Sequence, residues 1–172
     1  PENKLVIAPG LMAGTAASTS GRISMGCKSP LSGTIKEANA GGQAGQYQAK
    51  LGYAAIILEG EPSTDDLYKL VVNKDGVSVE ACNDLKGKGN YDTVDVLKAA
   101  YGEKAGFITI GQAGENKMAV ASIACTDREQ RPTRHADRGG VGAVMGSKGI
   151  KAIVLDPDGC GMRKAAKPDE FR

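Results

Sequence analysis

The residues best suited to chemistry lie at positions 131–151, where the chain reads RPTRHADRGGVGAVMGSKGIK. Basic side chains, one histidine and several glycines surround a short apolar run in this stretch. Glycine allows close approach to backbone amides, the first amides of a helix favour an anion, and arginine binds phosphate oxygens bidentately. We interpret the stretch as a phosphate-binding loop and short helix. The structural alternative is a set of tight turns with a solvated basic face.

Two nucleotide-binding motifs can be tested against the same stretch. Gly140, Gly142 and Gly146 form G-x-G-x-x-x-G, close to a dinucleotide fingerprint, but that fingerprint directly follows a strand. Residues 134–138 are too polar to predict a strand. A P-loop needs Gly-Lys-Ser/Thr where this chain has Gly-Ser-Lys, so neither motif is satisfied.

A second glycine-rich segment lies earlier, at residues 39–42, where Asn-Ala-Gly-Gly precedes a predicted helix. Apolar residues at helical spacing predict this helix over residues 42–51, and Gly52 predicts its end. Asn39 either caps the helix through its side chain or faces an anion at the helix start. In the second case the chain contains two similar anion sites.

The hydrophobic patterns predict more strands than helices. Helical spacing predicts a second helix at residues 92–100. Helices that interrupt groups of strands favour an α+β domain over a doubly wound sheet. The order of elements divides into two similar halves, which suggests one ligand with two anionic ends or two copies of one ligand. Strands are predicted from β-branched, alternating or continuously apolar runs at residues 4–8, 22–27, 54–59, 67–72, 77–81, 105–110, 118–126 and 152–155.

Length and composition narrow the class of protein. The 172 residues suffice for one domain with a core, and 41% hydrophobic and 24% charged residues are typical of a globular protein. A net charge of +2 and 4% aromatic residues argue against a nucleic-acid-binding surface. No apolar run approaches the ~20 residues of a membrane span, and no signal pattern is present. We therefore predict a cytoplasmic protein with no nucleic-acid or membrane partner.

The cysteines and the first residue give two further expectations. Cys27, Cys82, Cys125 and Cys160 are widely spaced and form no C-x-x-C pair. They therefore do not predict a zinc or iron–sulfur site within this chain, and we expect free, mostly buried thiols. Because the chain begins at Pro1 without a methionine, we expect it to be a piece of a longer protein.

Six segments together resemble the N-terminal domain of the tungsten-containing aldehyde ferredoxin oxidoreductases. The resemblance implies an α+β fold of two packed mixed or antiparallel β-sheets with a few short helices and pseudo-twofold halves. It also implies a tungsten or molybdenum bis-pterin cofactor whose phosphates are bridged by Mg²⁺. The segments occur in order over most of residues 4–155 and read LVIAPGLMAGTAA, GRISMGCKSPLSG, ANAGG, LGYAAIILEGE, ITIGQAGEN and RGGVGAVMGSKGIKAIV.

The first half of the chain carries four of the site residues that the resemblance implies. Arg22 matches the family arginine that contacts one pterin. Asn39 matches the asparagine whose backbone carbonyl reaches the Mg²⁺, and Gly41 matches a glycine that touches the cofactor. Ala40, between them, belongs to the same cofactor-binding segment.

The second half contributes residues 134–140, which read RHADRGG where the family has Arg-Ala-Ala-Gly-Arg-Gly-Gly. Arg134 is implied to bind the cofactor, and the backbone carbonyl of His135 is implied to be the second protein ligand of Mg²⁺. Asp137 replaces a glycine, and we expect it to disfavour a positive φ and to bring a carboxylate beside phosphates. Arg138 is expected to offset that charge and is a further candidate pterin contact.

Two side chains have the chemistry of acid–base catalysts. His135 is the only histidine of the chain, but the resemblance implies that the catalytic groups lie in later domains. Glu115, in the segment GQAGEN, is either catalytic or a turn-stabilising acceptor. The second interpretation is favoured because no acidic or histidine partner is near it in sequence.

The resemblance also implies a function for the whole protein. Residues 1–156 are expected to form the tungstopterin-binding domain, beginning after its first strands, and residues 157–172 are expected to lead as a linker towards further domains. The full-length enzyme is expected to oxidise aldehydes to carboxylic acids, to pass electrons to ferredoxin through a 4Fe-4S cluster held by those domains, and to form a homodimer. This chain alone is expected to be inactive. The alternative is a non-catalytic phosphate-ligand or scaffold module that keeps the fold without the cofactor.

Overall fold

The computed structural model describes residues 2–171. A 3-10 turn, Asn83–Leu85, precedes the helix at Asn90–Tyr101. Within the described range, ten strands and four α-helices follow the chain in the order β1 Leu5–Pro9, β2 Ile23–Lys28, β3 Ile35–Ala40, α1 Ala44–Lys50, β4 Ile56–Leu58, β5 Tyr68–Asn73, β6 Gly76–Ala81, α2 Asn90–Tyr101, β7 Gly106–Thr109, α3 Gln112–Glu115, β8 Ile123–Cys125, β9 Arg134–Ala136, α4 Val141–Ser147 and β10 Ile150–Leu155.

The strands form two sheets, one from each half of the chain. The first half gives a four-stranded antiparallel sheet in the order β3-β2-β1-β4. The second half gives a six-stranded mixed sheet in the order β6-β5-β10-β7-β8-β9, in which β10 is parallel to β5 and antiparallel to β7. The predicted α+β class, with two mixed or antiparallel sheets and a few short helices, is confirmed.

The two halves repeat one topology. In each half, three strands form an antiparallel meander, a seven-residue helix follows, and a return strand pairs antiparallel with the first strand of the meander. Thus β1, β2, β3, α1 and β4 correspond to β7, β8, β9, α4 and β10. Because α1 contacts β1 and β7 while α4 contacts β2 and β10, each short helix bridges the two sheets.

The core lies between the sheets and around these helices. Alternate residues of β1 and β2 point inward, so that Leu5, Ile7, Ile23 and Met25 are fully buried. β10 is buried along its whole length, because its residues divide between this main core and a second cluster beneath α2. Period-two burial in β1 and β2 and continuous burial in β10 follow from how many layers cover each strand.

Helix bounds differ little from the predictions. α1 lies within the predicted range 42–51, and α2 ends where expected, at Gly102, which has a φ of 80°. The segment GQAGEN contains the short helix α3 in place of a simple turn. α2, with 12 residues, is the longest helix, and no helix in the described part of the chain is long and apolar enough to cross a bilayer.

Two strands are shorter than predicted. Residues 54–59 were expected to form one strand from a continuously apolar run, but β4 has three residues, pairs only with β1 at the sheet edge, and leaves Ile57 53% exposed. Residues 118–126 were expected to form one strand, but only Ile123–Cys125 does so. In both cases the apolar residues outside the strand lie in turns or coil, where periodicity does not distinguish them from strand residues.

Candidate functional site

An open cleft of about 1150 Å³ lies where the edges of the two sheets meet. β3 and β9 are edge strands of their sheets and contact each other. A smaller pocket of about 320 Å³ adjoins the cleft between these two strands. Because drug-sized ligands occupy sites of roughly 300–1,000 Å³, the cleft can admit a larger ligand.

The structure brings the two predicted sets of site residues together. Arg22, Asn39 and His135 border both the cleft and the smaller pocket. Ala40, Gly41 and Arg134 line the cleft, and Arg138 lines the smaller pocket. The pairing of β3 with β2 and of β9 with β8 places these segments at facing sheet edges, although they are far apart in sequence.

Asn39 holds the side chain of Arg22. Nε of Arg22 donates to Oδ1 of Asn39 at 2.7 Å, and Nη2 donates to the same oxygen. Asn39 lies in β3, and α1 begins after Gln43 without a side-chain capping bond. The predicted alternative of Asn39 as a helix cap is therefore wrong. Asn39 binds Nε and Nη2 of the Arg22 guanidinium. Nη1 of Arg22 is left on the side that faces Gly41.

Arg134 and His135 occupy β9, although residues 134–138 were expected to be too polar for a strand. An edge strand tolerates polar residues on its outer side, and here Arg134 and His135 are exposed while Ala136 is buried. Oγ of Ser122 and Nδ1 of His135 form a hydrogen bond of 3.0 Å. The imidazole is thus held by a serine hydroxyl, and its backbone belongs to the strand that faces β3.

The start of α4 does not face the cleft, which corrects the interpretation of residues 131–151 as one phosphate-binding loop and helix. Gly140 has a φ of 74°, and a Cβ added there would lie 2.1 Å from the carbonyl oxygen of Ala119. The amide of Gly142 donates to the carbonyl of Ala121 at 2.9 Å. Protein atoms therefore occupy the place of a phosphate, and these glycines serve close packing. Only the arginine-rich start of the stretch reaches the cleft.

Asp137 does not adopt the backbone conformation that would require glycine. In the part of the chain that the structure describes, the non-glycine residues with positive φ are Thr19, Lys117 and Gln130. The predicted conflict between Asp137 and the backbone is therefore wrong. Its carboxylate borders the smaller pocket together with the basic residues Lys36 and Arg138.

The sequence reasoning missed one basic residue that lines the cleft, Arg128. Arg128, Arg131 and Arg134 recur every three residues just before and within β9, and all three line the cleft. That spacing was the available signal. Arg131 forms ion pairs with Asp127 and Glu129, whereas Arg22, Arg128 and Arg134 have no ion-pair partner within residues 2–171. Their charge is available to an anionic ligand.

The other predicted candidates lie outside the cleft. Glu115 accepts a hydrogen bond from the Gly87 amide at 2.9 Å and pairs with Lys151, so it acts as a structural acceptor. Cys27, Cys82 and Cys125 are buried free thiols, and Cys160 is partly exposed. Burial raises the pKa of Cys82 to about 11 and that of Cys125 to about 12. Among the described residues, no cluster of three or more His, Cys, Asp or Glu side chains could hold a metal ion.

Comparison with known proteins gives the family. A sequence model described as "Aldehyde ferredoxin oxidoreductase, N-terminal domain" matches residues 1–157. The chain is 42% identical over 156 residues to the tungsten-containing aldehyde ferredoxin oxidoreductase of Pyrococcus horikoshii, and 40% identical over 157 residues to that of Pyrococcus furiosus. These alignments cover 90% and 91% of this chain but 24% and 25% of the relatives. The chain thus spans about a quarter of their length.

More distant relatives carry different names. The chain is 30% identical over 172 residues to the WOR-like subunit of aliphatic sulfonate oxidoreductase from Pyrococcus furiosus, covering 92% of this chain and 26% of that one. It superposes with a TM-score of 0.86 and 34% identity on the active site complex BamBC of benzoyl coenzyme A reductase bound to 1,5-dienoyl-CoA, covering 98% of this chain and 24% of that one. The chain therefore belongs to the aldehyde ferredoxin oxidoreductase family, and residues 1–157 correspond to the N-terminal domain of that family.

Proposed function

We propose that this chain is the cofactor-binding domain of an oxidoreductase that uses a tungsten bis-pterin. The observation that carries the proposal is the meeting of β3 and β9, which places Arg22, Asn39, Arg134 and His135 around one cleft. The curated relatives with 40–42% identity are named as tungsten-containing enzymes, which supports tungsten over molybdenum.

The residues of the cleft fit a large anionic ligand. Guanidinium groups with no carboxylate partner in the described chain suit phosphate oxygens, which they bind bidentately. A Cβ added at Gly41 would meet only Nη1 of Arg22, at 4.0 Å. The protein itself therefore does not require glycine at this position, whereas a ligand lying against the backbone would.

Within this proposal, each site residue has a role set by its position. Arg22, oriented by Asn39, and Arg134 bind the anionic ends of the pterins, and Arg138 supports them from the smaller pocket. Ala40 and Gly41 offer backbone against which the cofactor lies. The backbone carbonyls of Asn39 and His135 would hold the Mg²⁺. When bound, the tungsten centre supplies two-electron redox chemistry, and this domain supplies placement and charge.

For the whole protein we propose the oxidation of an aldehyde to a carboxylic acid, with ferredoxin as electron acceptor and a 4Fe-4S cluster in domains beyond this chain. We also propose a homodimer in the cytoplasm and expect no turnover from this chain alone. The scaffold alternative is not favoured. Its support was Asp137 together with the missing cluster ligands, and the backbone at Asp137 carries no strain from a positive φ.

The cofactor proposal predicts metal content. The full-length protein, produced with tungstate, should contain tungsten and pterin in a fixed ratio of one metal to two pterins, and Arg22→Ala together with Arg134→Ala should abolish both while the protein still folds. Elemental analysis and pterin fluorescence after oxidation measure the two components. Folded wild-type protein without pterin would refute the proposal.

The anion site of this chain predicts binding of pyrophosphate. Each of Arg22→Ala and Arg134→Ala should weaken binding by about 10–100-fold, because a charge-assisted hydrogen bond contributes roughly 1.5–3 kcal/mol. Amide shifts during titration of the labelled chain provide the measurement. Lys74→Ala, which removes an exposed charge in the turn after β5, controls for net charge and should change affinity less than twofold. An equal effect of all three variants would indicate nonspecific attraction.

A further inference from the structure

The loop of residues 127–133, between β8 and β9, forms one wall of the cleft. It contains Arg128 and Arg131 and leads directly into Arg134. We call it the arginine loop. Long basic side chains on an irregular loop normally sample many rotamers, which weakens binding because each must be immobilised. A loop held in one conformation therefore binds an anion more strongly.

The carboxylate of Asp127 organises the arginine loop. Its Oδ1 accepts the amides of Glu129 at 2.9 Å and Arg131 at 3.0 Å. Its Oδ2 accepts Nε and Nη2 of Arg131, at 3.2 and 3.1 Å, and the hydroxyl of Thr133 at 2.9 Å. Burial alone would raise the pKa of the Asp127 carboxyl, but these hydrogen bonds lower it to about 2. The group is therefore ionised at every pH well above that value, and its bonds weaken only as the pH falls towards it.

Gln130 anchors the same loop from the opposite side. Its side chain is 5% exposed, and its Nε2 donates to the carbonyls of Gly102 at 2.9 Å and Ala105 at 2.7 Å. Its φ of 55° is unusual for a residue with a Cβ. Backbone in such a conformation persists where surrounding contacts determine it, and it concentrates at functional sites.

The base of the arginine loop also joins the two halves of the domain. The carbonyl of Thr126 accepts the amide of Gln43 at 3.0 Å, just before α1. A Cβ added at Gly42 would lie 3.4 Å from Cγ of Arg134. The conformation of the loop thus sets where Arg134 lies relative to the glycine-rich segment of the first half.

From these contacts we infer that Asp127 is a positioning residue, which fixes the arginine loop so that Arg134 and Arg128 present a preformed anion site. This inference rests on the proposed cofactor-binding function. Asp127 borders the cleft, yet both of its oxygens are occupied by donors of the loop. Asp127 acts through the arginines and not through contact with the ligand. The positive charge of Arg131 offsets the repulsion between the Asp127 carboxylate and an anion.

The test compares Asp127→Asn with matched variants of the 172-residue chain. Asparagine keeps one acceptor oxygen but places an NH₂ against the Arg131 and Thr133 donors. We expect the dissociation constant of pyrophosphate to rise about tenfold. This is the lower end of the roughly 10–100-fold range seen when a group that supports a binding residue is lost. Thr133→Val should weaken binding in the same direction, and Thr133→Ser, which keeps the hydroxyl, should retain wild-type affinity. The threonine variants decide the question if Asp127→Asn does not fold.

Asp66→Asn is the matched control. Asp66 also organises a loop, accepting from Thr64 at 2.7 Å and from Asn83 at 2.8 Å, and it does not line the cleft. Its replacement should change pyrophosphate affinity less than twofold. Equal weakening by Asp66→Asn and Asp127→Asn, or wild-type affinity in Asp127→Asn and Thr133→Val, would overturn the inference.

Hydrogen exchange separates this inference from the proposed function. In Asp127→Asn, amides of residues 131–136 should exchange at least about tenfold faster than in the wild type, whereas Asp66→Asn should leave them unchanged. If the wild-type chain binds no pyrophosphate, the proposed anion site fails, and faster exchange then supports only the control of the loop by Asp127. Unchanged exchange in Asp127→Asn overturns the inference in either case.

Discussion

Replacement of Glu115 by alanine is expected to destabilise the chain by about 3–5 kcal/mol, because it leaves a buried ammonium without its counter-charge. Lys151 is fully buried in β10, where its Nζ pairs with Oε1 of Glu115 and donates to the carbonyl of Lys88 at 2.8 Å. Oε2 of Glu115 also accepts the Gly87 amide. Urea unfolding followed by circular dichroism measures the loss.

Two comparisons isolate the buried charge. Glu80→Ala removes a partly exposed ion pair with Lys69, 3.3 Å long, and should cost at most about 1 kcal/mol. The double variant Glu115→Leu with Lys151→Met should regain much of the stability, because well-packed apolar residues often replace a buried ion pair without loss. If Glu115→Ala lowers the free energy of unfolding by no more than Glu80→Ala does, water still reaches Lys151.

The ion pair between Glu115 and Lys151 shows why the interpretation of residues 131–151 as one phosphate-binding stretch was wrong. Lys148 and Lys151 contributed to the basic appearance of residues 131–151, yet both are buried, and Lys151 lies inside a central strand. A lysine within an apolar run does not reveal its partner. Glu115 is distant from Lys151 in sequence and reaches it because α3 follows β7, the strand that pairs with β10. Composition showed the charge, whereas burial and pairing depend on tertiary structure.

The fold was more predictable than the site because it follows from repeated local patterns. Alternation in β2 and the continuous apolar run of β7 specify their burial, and the order of elements indicated two halves. The cleft forms from edge strands, which lack such patterns. Arg134 and His135 of β9 line the cleft and are polar, and this polarity concealed the strand in the sequence.

The resemblance supplied what pattern reasoning could not. Its sequence neighbours alone left Asn39 as either a helix cap or a residue facing an anion. The resemblance implied a contact with the cofactor, and in the structure Asn39 borders the cleft and orders Arg22. The arginine loop was not found by either route. Two residues order this loop. Asp127 forms hydrogen bonds within the loop, and Gln130 forms hydrogen bonds to Gly102 and Ala105. No local pattern specifies those contacts.

Gly42→Ala is expected to destabilise the chain by about 2–5 kcal/mol and to weaken pyrophosphate binding by at least about tenfold. Gly42 has a φ of 91°, and an added Cβ would lie 2.4 Å from the backbone oxygen of Thr126. Because that oxygen also accepts the amide of Gln43, relief of the clash must separate the two halves at the base of the cleft. Thermal unfolding and titration with pyrophosphate measure the two effects.

Gly52→Ala provides the matched control at the other end of α1. Gly52 has a similar φ of 87°, but a Cβ added there would meet no atom within 4 Å. Its replacement should therefore cost only the left-handed backbone penalty of about 1–2 kcal/mol and leave pyrophosphate affinity unchanged. The additional loss of stability in Gly42→Ala then measures the effect of the close approach between the glycine-rich segment and the end of β8. Equal losses in both variants would mean that backbone conformation alone, and not the meeting of the two halves, requires glycine at position 42.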